Sequence, residues 1–298
     1  MDEAKFKRLA QRVRPGSTLL RAWPLTGGVS AHVTAVEVRL PDGSTEKWVV
    51  RQHGARDLAQ NPDMAEDEFR LLSILKEAGV PAPEPHYVDA AGEILGSPCF
   101  VVGFIEGEGR PPLDDLHGVV TQMASQLVRI HVISPARFDL SFLPRQSDIY
   151  AKKLGERPAV LDESLDEGRI RDVLASVWPL ARWNEDVLLH GDYWPGNTLW
   201  KDGKLVGLID WEDARVGDPL EDFANTRLEM LWELGVDAMH SFTQVYRSSA
   251  RVDFTDLRYW DLCAALRPAF KIGEWAGDAA RERVMRERHR WFVEQALT

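Results

Sequence analysis

The chain has 298 residues, 44% of them hydrophobic and 28% charged, with a formal net charge of −11. That length suits one large or two modest domains, and the composition is that of a globular protein rather than a disordered or fibrous one. About −2 of the charge falls in residues 1–105 and about −9 in the rest, so no basic stripe marks a nucleic-acid partner, while an acidic C-terminal half either attracts a cationic substrate or simply keeps the surface solvated.

The start, MDEAKFKRLAQRVRPG, is charged and lacks the apolar stretch of a secretory leader, and no apolar run approaches bilayer-spanning length. Cys99 and Cys263 are the only cysteines and make no CxxC pair, which argues against a disulfide framework or a zinc site. A cytoplasmic protein without a membrane partner is the expectation. The first third then reads mainly as strands. TLLRAWPLTGGVSAHVTAVEVRL predicts a strand, a glycine-containing turn and a second strand, PDGS (41–44) a turn, and EKWVVRQ (46–52) a third strand. Asn61 and Pro62 predict the start of a helix that carries Phe69, Leu72 and Leu75 on one face and ends at Gly79. The stiff PAPEP segment follows, and HYVDAAGEILGSPCFVVGFI predicts two more strands. GEGRPP (107–112) reads as a linker, residues 119–132 have helical periodicity, another helix lies within SLDEGRIRDVLASVWPL, and residues 219–297 read as almost wholly helical. The pattern predicts a strand-rich N-terminal lobe over residues 1–105 and a larger helical lobe over 106–298.

Three polar residues carry the chemistry. Asp192 and Asn197 sit in LLHGDYWPGN (188–197), and Asp210 ends the apolar run of LVGLIDWED (205–213). Pro195 and Gly196 prevent a simple helix, so Asp192 and Asn197 belong to a tight loop that can aim both side chains into one space. An isolated Asp after Gly is most often a turn residue. A carboxylate delivered by a buried strand is different, because it is costly unless it stays wet or meets a cation. Asn197 and Asp210 offer hard oxygen ligands, which suit magnesium better than zinc, while Asp192 can position a hydroxyl in line with a γ-phosphate. Upstream, Arg51 lies on the third strand and Glu68 on the following helix, where the two could pair, though Glu66, Asp67 and Glu77 crowd the same helix. Gly27, Gly28 and Ser30 fall between the first two strands, where backbone amides could cover phosphates. An ordinary hairpin turn fits GGVSAH equally well. The backbone of Gly103, Phe104 and Ile105 could hydrogen-bond an adenine edge, or could simply be a core strand entering a linker. Asp218 is expected to cap the helix begun by Pro219, Asp222 to anchor the loop, and His131 and His190 to brace the loop or the core rather than catalyse.

HGDYWPGN, LIDWEDARVGDP and the Glu68 helix resemble the aminoglycoside phosphotransferase family. The resemblance implies an α+β, two-lobed protein-kinase-like fold with a small antiparallel-sheet N-terminal lobe containing one helix. It also implies ATP-dependent transfer of the γ-phosphate to a hydroxyl of a small molecule, with GTP an open alternative donor and Mg2+ as the metal. Asp192 resembles the catalytic aspartate, Asn197 and Asp210 the magnesium ligands. Arg51 stands where protein kinases carry lysine, which keeps the charge but presents a planar fork. No APE signature follows Asp210, which argues against a protein substrate. An aminoglycoside-like acceptor is favoured, because the C-terminal helices interleave Glu229, Glu233, Asp261 and Glu274 with Trp232, Trp260 and Trp275; tryptophans packed as helix–helix core are the competing reading. A macrolide, a choline-like amine, homoserine or a sugar is an alternative acceptor. Two readings from other classes are a nucleotide-binding pseudokinase and, with less support, a metal-dependent hydrolase.

Overall fold

The computed structural model describes residues 2–25 and 31–298. The chain divides into two units, Met1–Gly107 with Val206–Ile209, and Glu108–Leu205 with Asp210–Thr298. In the first unit, β1 (Thr18–Pro24), β2 (Ala31–Arg39), β3 (Thr45–His53), β4 (Pro85–Asp89) and β5 (Cys99–Gly103) form one antiparallel sheet in the order β1-β2-β3-β5-β4. The PDGS turn closes the β2–β3 hairpin, with Leu40 N–H donating to Ser44 O at 2.8 Å and Gly43 at φ +86°. Gly27, Gly28 and Ser30 lie outside the described residues.

Three helices accompany this sheet: α1 (Glu3–Val13), α2 (Ala55–Gln60) and α3 (Met64–Glu77). The charged N-terminal stretch forms α1, an element additional to the one helix expected. Asp2 caps it by accepting from Ala4 N at 3.1 Å, and Phe6, Leu9, Ala10 and Val13 make its buried stripe. α3 begins at Met64, two residues after the expected Pro62, because Asn61 closes a turn instead of capping a helix. Its Oδ1 accepts from Asp63 N at 3.0 Å, and its Nδ2 donates to Asp67 Oδ2 at 2.9 Å. Gly79, at φ +73°, follows its end as expected.

The alternation of β3 decides where its charges go. Trp48 and Val50 join Val36, Val38, Cys99, Val101 and the α1 stripe in one apolar cluster. Residues 51 and 53 of the same strand therefore face the other side, and there Arg51 and His53 meet Glu68 of α3.

The second unit contains α4 (Leu116–Ile130), α5 (Gln146–Gly155), α6 (Glu167–Val177), β6 (Val187–Leu189), β7 (Thr198–Lys201), β8 (Lys204–Leu208), β9 (Arg215–Gly217), α7 (Leu220–Leu234), α8 (Val236–Ser249), α9 (Leu257–Ala265), α10 (Ile272–Ala276) and α11 (Ala279–Leu297). The last residues of β8, from Val206, group with the first unit. β6 pairs antiparallel with β9, and β7 with β8 forms a second small sheet. α7 is buried on nearly every side and contacts α8, α9 and α11, so the segment just after β9 is fixed by the core of the unit. Among the described residues no helix is long and apolar enough to cross a membrane.

Trp48 is 1% exposed at the centre of the first unit's core. Trp48→Ala is expected to lose about 3–5 kcal/mol in denaturant unfolding, and a loss below about 1 kcal/mol contradicts this placement.

Candidate active site

β6 delivers the chain to His190, and from there to Asn197 little regular structure holds it. The loop is fixed instead by side chains of the helical core. Asp222, on the first turn of α7 and 1% exposed, accepts from His190 N at 2.6 Å and from Gly191 N at 2.9 Å. Burial pulls the Asp222 carboxyl up, but the bond from His131, the charges of His131 and His190 and the Gly191 amide outweigh it and hold the group below its usual range. Gly191 sits at φ +82°, and a Cβ there would lie 2.1 Å from the Asp213 carbonyl oxygen, so the position requires glycine. Its carbonyl accepts from Arg215 Nη2 at 3.2 Å, and Arg215 also pairs with Glu221 at 3.1 Å. Fully buried His190 packs against Trp211 with the rings tilted by 35° and their centroids 4.3 Å apart. Tyr193 donates to Met123 O at 3.0 Å and its own carbonyl accepts from Thr226 Oγ1 at 2.9 Å. Asp218 caps α7 through Leu220 N at 2.9 Å and receives Asn184 N at 2.9 Å.

Asp192 and Asn197 are brought together by this loop. Asn197 Nδ2 donates to Asp192 O at 2.9 Å and to Asp192 Oδ2 at 3.1 Å. Both bonds are made by the amide nitrogen of Asn197 rather than by its Oδ1. The other Asp192 oxygen, Oδ1, accepts from Arg267 Nη2 at 2.8 Å. One bond on each carboxylate oxygen leaves each a further lone pair for a substrate hydroxyl. Asp210 lies two residues past the end of β8, at φ +67°, a left-handed value that re-aims the chain and that Asp tolerates better than most residues.

Asp192 lies on the wall of a cavity of about 750 Å³ in the second unit. The acids and tryptophans noted in the sequence separate here. Glu229, Glu233, Trp232 and Trp275 line the cavity. Trp260 is fully buried against Tyr150, Trp178 and Trp183, and Asp261 is buried 3.3 Å from Arg227; neither these two nor Glu274 line it. Burial, only partly offset by Arg267, pushes the Glu229 carboxyl up to about 8. Sequence reasoning missed the cations of this wall: Lys153, Arg215, Arg267, Lys271 and Arg281. Arg267 is 75 residues from the aspartate it pairs with, and no local pattern announces such a pairing.

In the first unit Arg51 Nε lies 3.5 Å from Glu68 Oε2, both side chains being largely buried. The crowding acids Glu66, Asp67 and Glu77 are not in the buried stripe of α3, whereas Glu68 is. His53 Nε2, 3.6 Å from Glu68 Oε1, is an added member, and its position two residues after Arg51 on one strand was the available signal. Gly103 is the last residue of β5. Its amide donates to Glu84 O at 2.8 Å, and the Phe104 amide to Lys47 O at 3.0 Å. Ile105 follows them directly.

The phosphotransferase enzyme family model matches residues 24–289. In solved structures the chain is similar to a putative aminoglycoside phosphotransferase from Ralstonia eutropha JMP134 (16% identity, 99% of this chain and 98% of that one, TM-score 0.69). It is also similar to a macrolide 2'-phosphotransferase from Brachybacterium faecium (18% identity, 95% and 97%, TM-score 0.64), and to the GDP complex of aminoglycoside 2'-phosphotransferase-IIIa (16% identity, 99% and 99%, TM-score 0.69). At such identities these structures show a common fold. Among curated proteins it is similar to acyl-CoA dehydrogenase family member 10 of Mus musculus, 27% identical over 63% of this chain, and to acyl-CoA dehydrogenase family member 11 of Rattus norvegicus, 21% identical over 63%. The matches span only 18% and 26% of those two proteins.

Two outcomes follow from this geometry. Asp222→Ala strips two buried amides of their acceptor, so it should destabilise the chain by about 3 kcal/mol and lower turnover together with melting temperature; a variant as stable as the wild type contradicts the anchoring role. Glu229 has its folded pKa raised to about 8, from about 4.3 in an unfolded chain. Its contribution to stability is fully present below the unfolded value and is lost as pH rises through the folded one. The melting temperature of the wild type should therefore fall relative to that of Glu229→Gln between about pH 5 and about pH 8, and a constant difference over that range contradicts the shift.

Proposed function

We propose, for a chain that belongs to the phosphotransferase enzyme family, transfer of the γ-phosphate of ATP to a hydroxyl of a small molecule bound beside Asp192. The fold and the family make it a small-molecule kinase. The observation that carries the finer reading is Asp192 itself, a carboxylate gripped on one oxygen by Asn197 and on the other by Arg267 at the wall of an open cavity.

In this reading the acceptor hydroxyl bonds to Asp192, which aligns its oxygen on the γ-phosphorus. The oxygen–phosphorus bond forms as the bond to the β–γ bridging oxygen breaks, ADP leaves, and the hydroxyl proton passes toward Asp192. The main contribution of Asp192 in this reading is to orient the hydroxyl. Asn197 Oδ1 and the Asp210 carboxylate would hold magnesium, which when bound would supply positive charge against the phosphate oxygens. The donor set fits that ion, since both offer hard oxygens. Arg51, fixed by Glu68, would pair with the nucleotide phosphates, and Gly27, Gly28 and Ser30 are assigned to cover them. With the Gly103 and Phe104 amides already engaged, Ile105 is the residue of that segment to meet the nucleobase. The GDP complex of a structural neighbour supports a purine nucleotide donor; ATP is proposed, with GTP the alternative.

The acceptor expected from the resemblance, an aminoglycoside-like polyamine, calls for an excess of acid. The cavity wall instead carries five acidic and five basic side chains.

Asp192→Asn should lower the turnover number about a thousandfold while nucleotide affinity stays within about threefold. Mass detection of the phosphorylated acceptor and calorimetry with magnesium–ATP read the two quantities, and unchanged turnover removes Asp192 from this role.

A further inference from the structure

The charges of the cavity wall do not cancel evenly. Three of its carboxylates are committed to guanidinium groups: Asp192 to Arg267, Glu221 to Arg215 and Glu233 to Arg281. Glu229, raised to about 8, is mostly uncharged at neutral pH. Of the acids this leaves Asp213, which is exposed. Of the bases it leaves Lys153 on α5, which is half-buried, and Lys271 just before α10, which is exposed like Asp213. Among the described residues neither lysine has a carboxylate within ion-pair distance. Lys153 Nζ sits 5.5 Å from the Tyr150 ring centroid. Burial, with Arg267 and Arg215 nearby, lowers Lys153 to about 8, against the opposing pull of Cys263 and Glu221.

A half-buried ammonium without a counter-ion, as at Lys153, is costly, and a bound anion offsets that cost, with Lys271 at the rim able to add a second contact. A polyamine would add positive charge to a wall that already has two unmatched lysines. The remaining wall includes Ile149, Trp232, Trp275 and Met285, which suits an apolar segment rather than a densely hydroxylated ring.

Resting on the kinase reading above, we propose that the acceptor is an alcohol that carries an anionic group, a carboxylate or a phosphate, on a partly apolar skeleton, with Lys153 and Lys271 binding the anion while Asp192 receives the hydroxyl. The product is then a phosphate ester that retains the anion, formed together with ADP.

The test uses the full chain, calorimetry and mass-detected turnover. The probes are ω-hydroxy carboxylic acids of graded chain length, with the diol and amino alcohol of each length, a sugar phosphate with its parent sugar, and kanamycin. At least one anionic alcohol should bind about tenfold or more tightly than its neutral and cationic counterparts. Comparing the hydroxy acids with the sugar phosphate tells a carboxylate site from a phosphate site. Lys153→Met should raise KM for that substrate about tenfold with a much smaller change in kcat, and Lys153→Arg should restore most of the affinity. Equal or tighter binding of the diols, amines or kanamycin overturns the proposal, as does failure of every anionic probe to bind. Phosphorylation of neutral or cationic alcohols without an anionic preference leaves the kinase reading standing and removes this one. An anionic alcohol that binds through Lys153 but is never phosphorylated removes the kinase reading and leaves the anion site.

Discussion

One buried carboxylate holds the candidate site in shape. Asp222 takes the amides of His190 and Gly191, the first two residues after β6. Those amides lie beyond the residues that β6 pairs with β9, and leaving them unmatched in the core would cost more than the net value of an ordinary hydrogen bond. Because α7 is packed on nearly every side, the carboxylate is a fixed point and the loop inherits its rigidity. Arg215 on the Gly191 carbonyl and Thr226 on the Tyr193 carbonyl repeat the device further along. Asp192 can then stand partly exposed on a cavity wall without drifting, which is the condition for orienting a reacting hydroxyl.

The same economy governs the charges. Acids and bases on the cavity wall are mostly matched in pairs, and the two lysines left over differ from the acid excess expected of a site for polyamines. Net charge is a poor guide here. The second unit holds most of the chain's negative excess, yet the wall it presents to a ligand is not acidic. Charge summed over a domain reports its average surface, whereas recognition depends on the few groups that a cavity gathers.

The parts of the architecture and site that were legible in the sequence are those encoded locally. HGDYWPGN places Asp192 and Asn197 five residues apart on one tight loop, and their hydrogen bond follows from that spacing. Strand alternation around EKWVVRQ was enough to send Arg51 to the face opposite Trp48. Long-range pairings left no such trace. Arg267 precedes a proline after an apolar helix, and Lys153 is one of two adjacent lysines; only folding sets them beside Asp192. Glu68 could not be told from its acidic neighbours until the buried stripe of α3 was fixed, nor Trp260 from Trp275 until one proved core and the other cavity. The helix α1 escaped notice because its apolar positions are few and spread among charges, although they recur at helical spacing.

Family membership and fold define a kinase of small molecules, and the mechanism proposed for it turns on Asp192 at the cavity wall. The most direct measurement follows the label from ATP carrying radioactive γ-phosphate, incubated with the chain, magnesium and a panel of small alcohols. The account predicts label in a small-molecule ester, in amounts that depend on the alcohol added. Label that appears only in inorganic phosphate or on the protein, whatever alcohol is present, would contradict it.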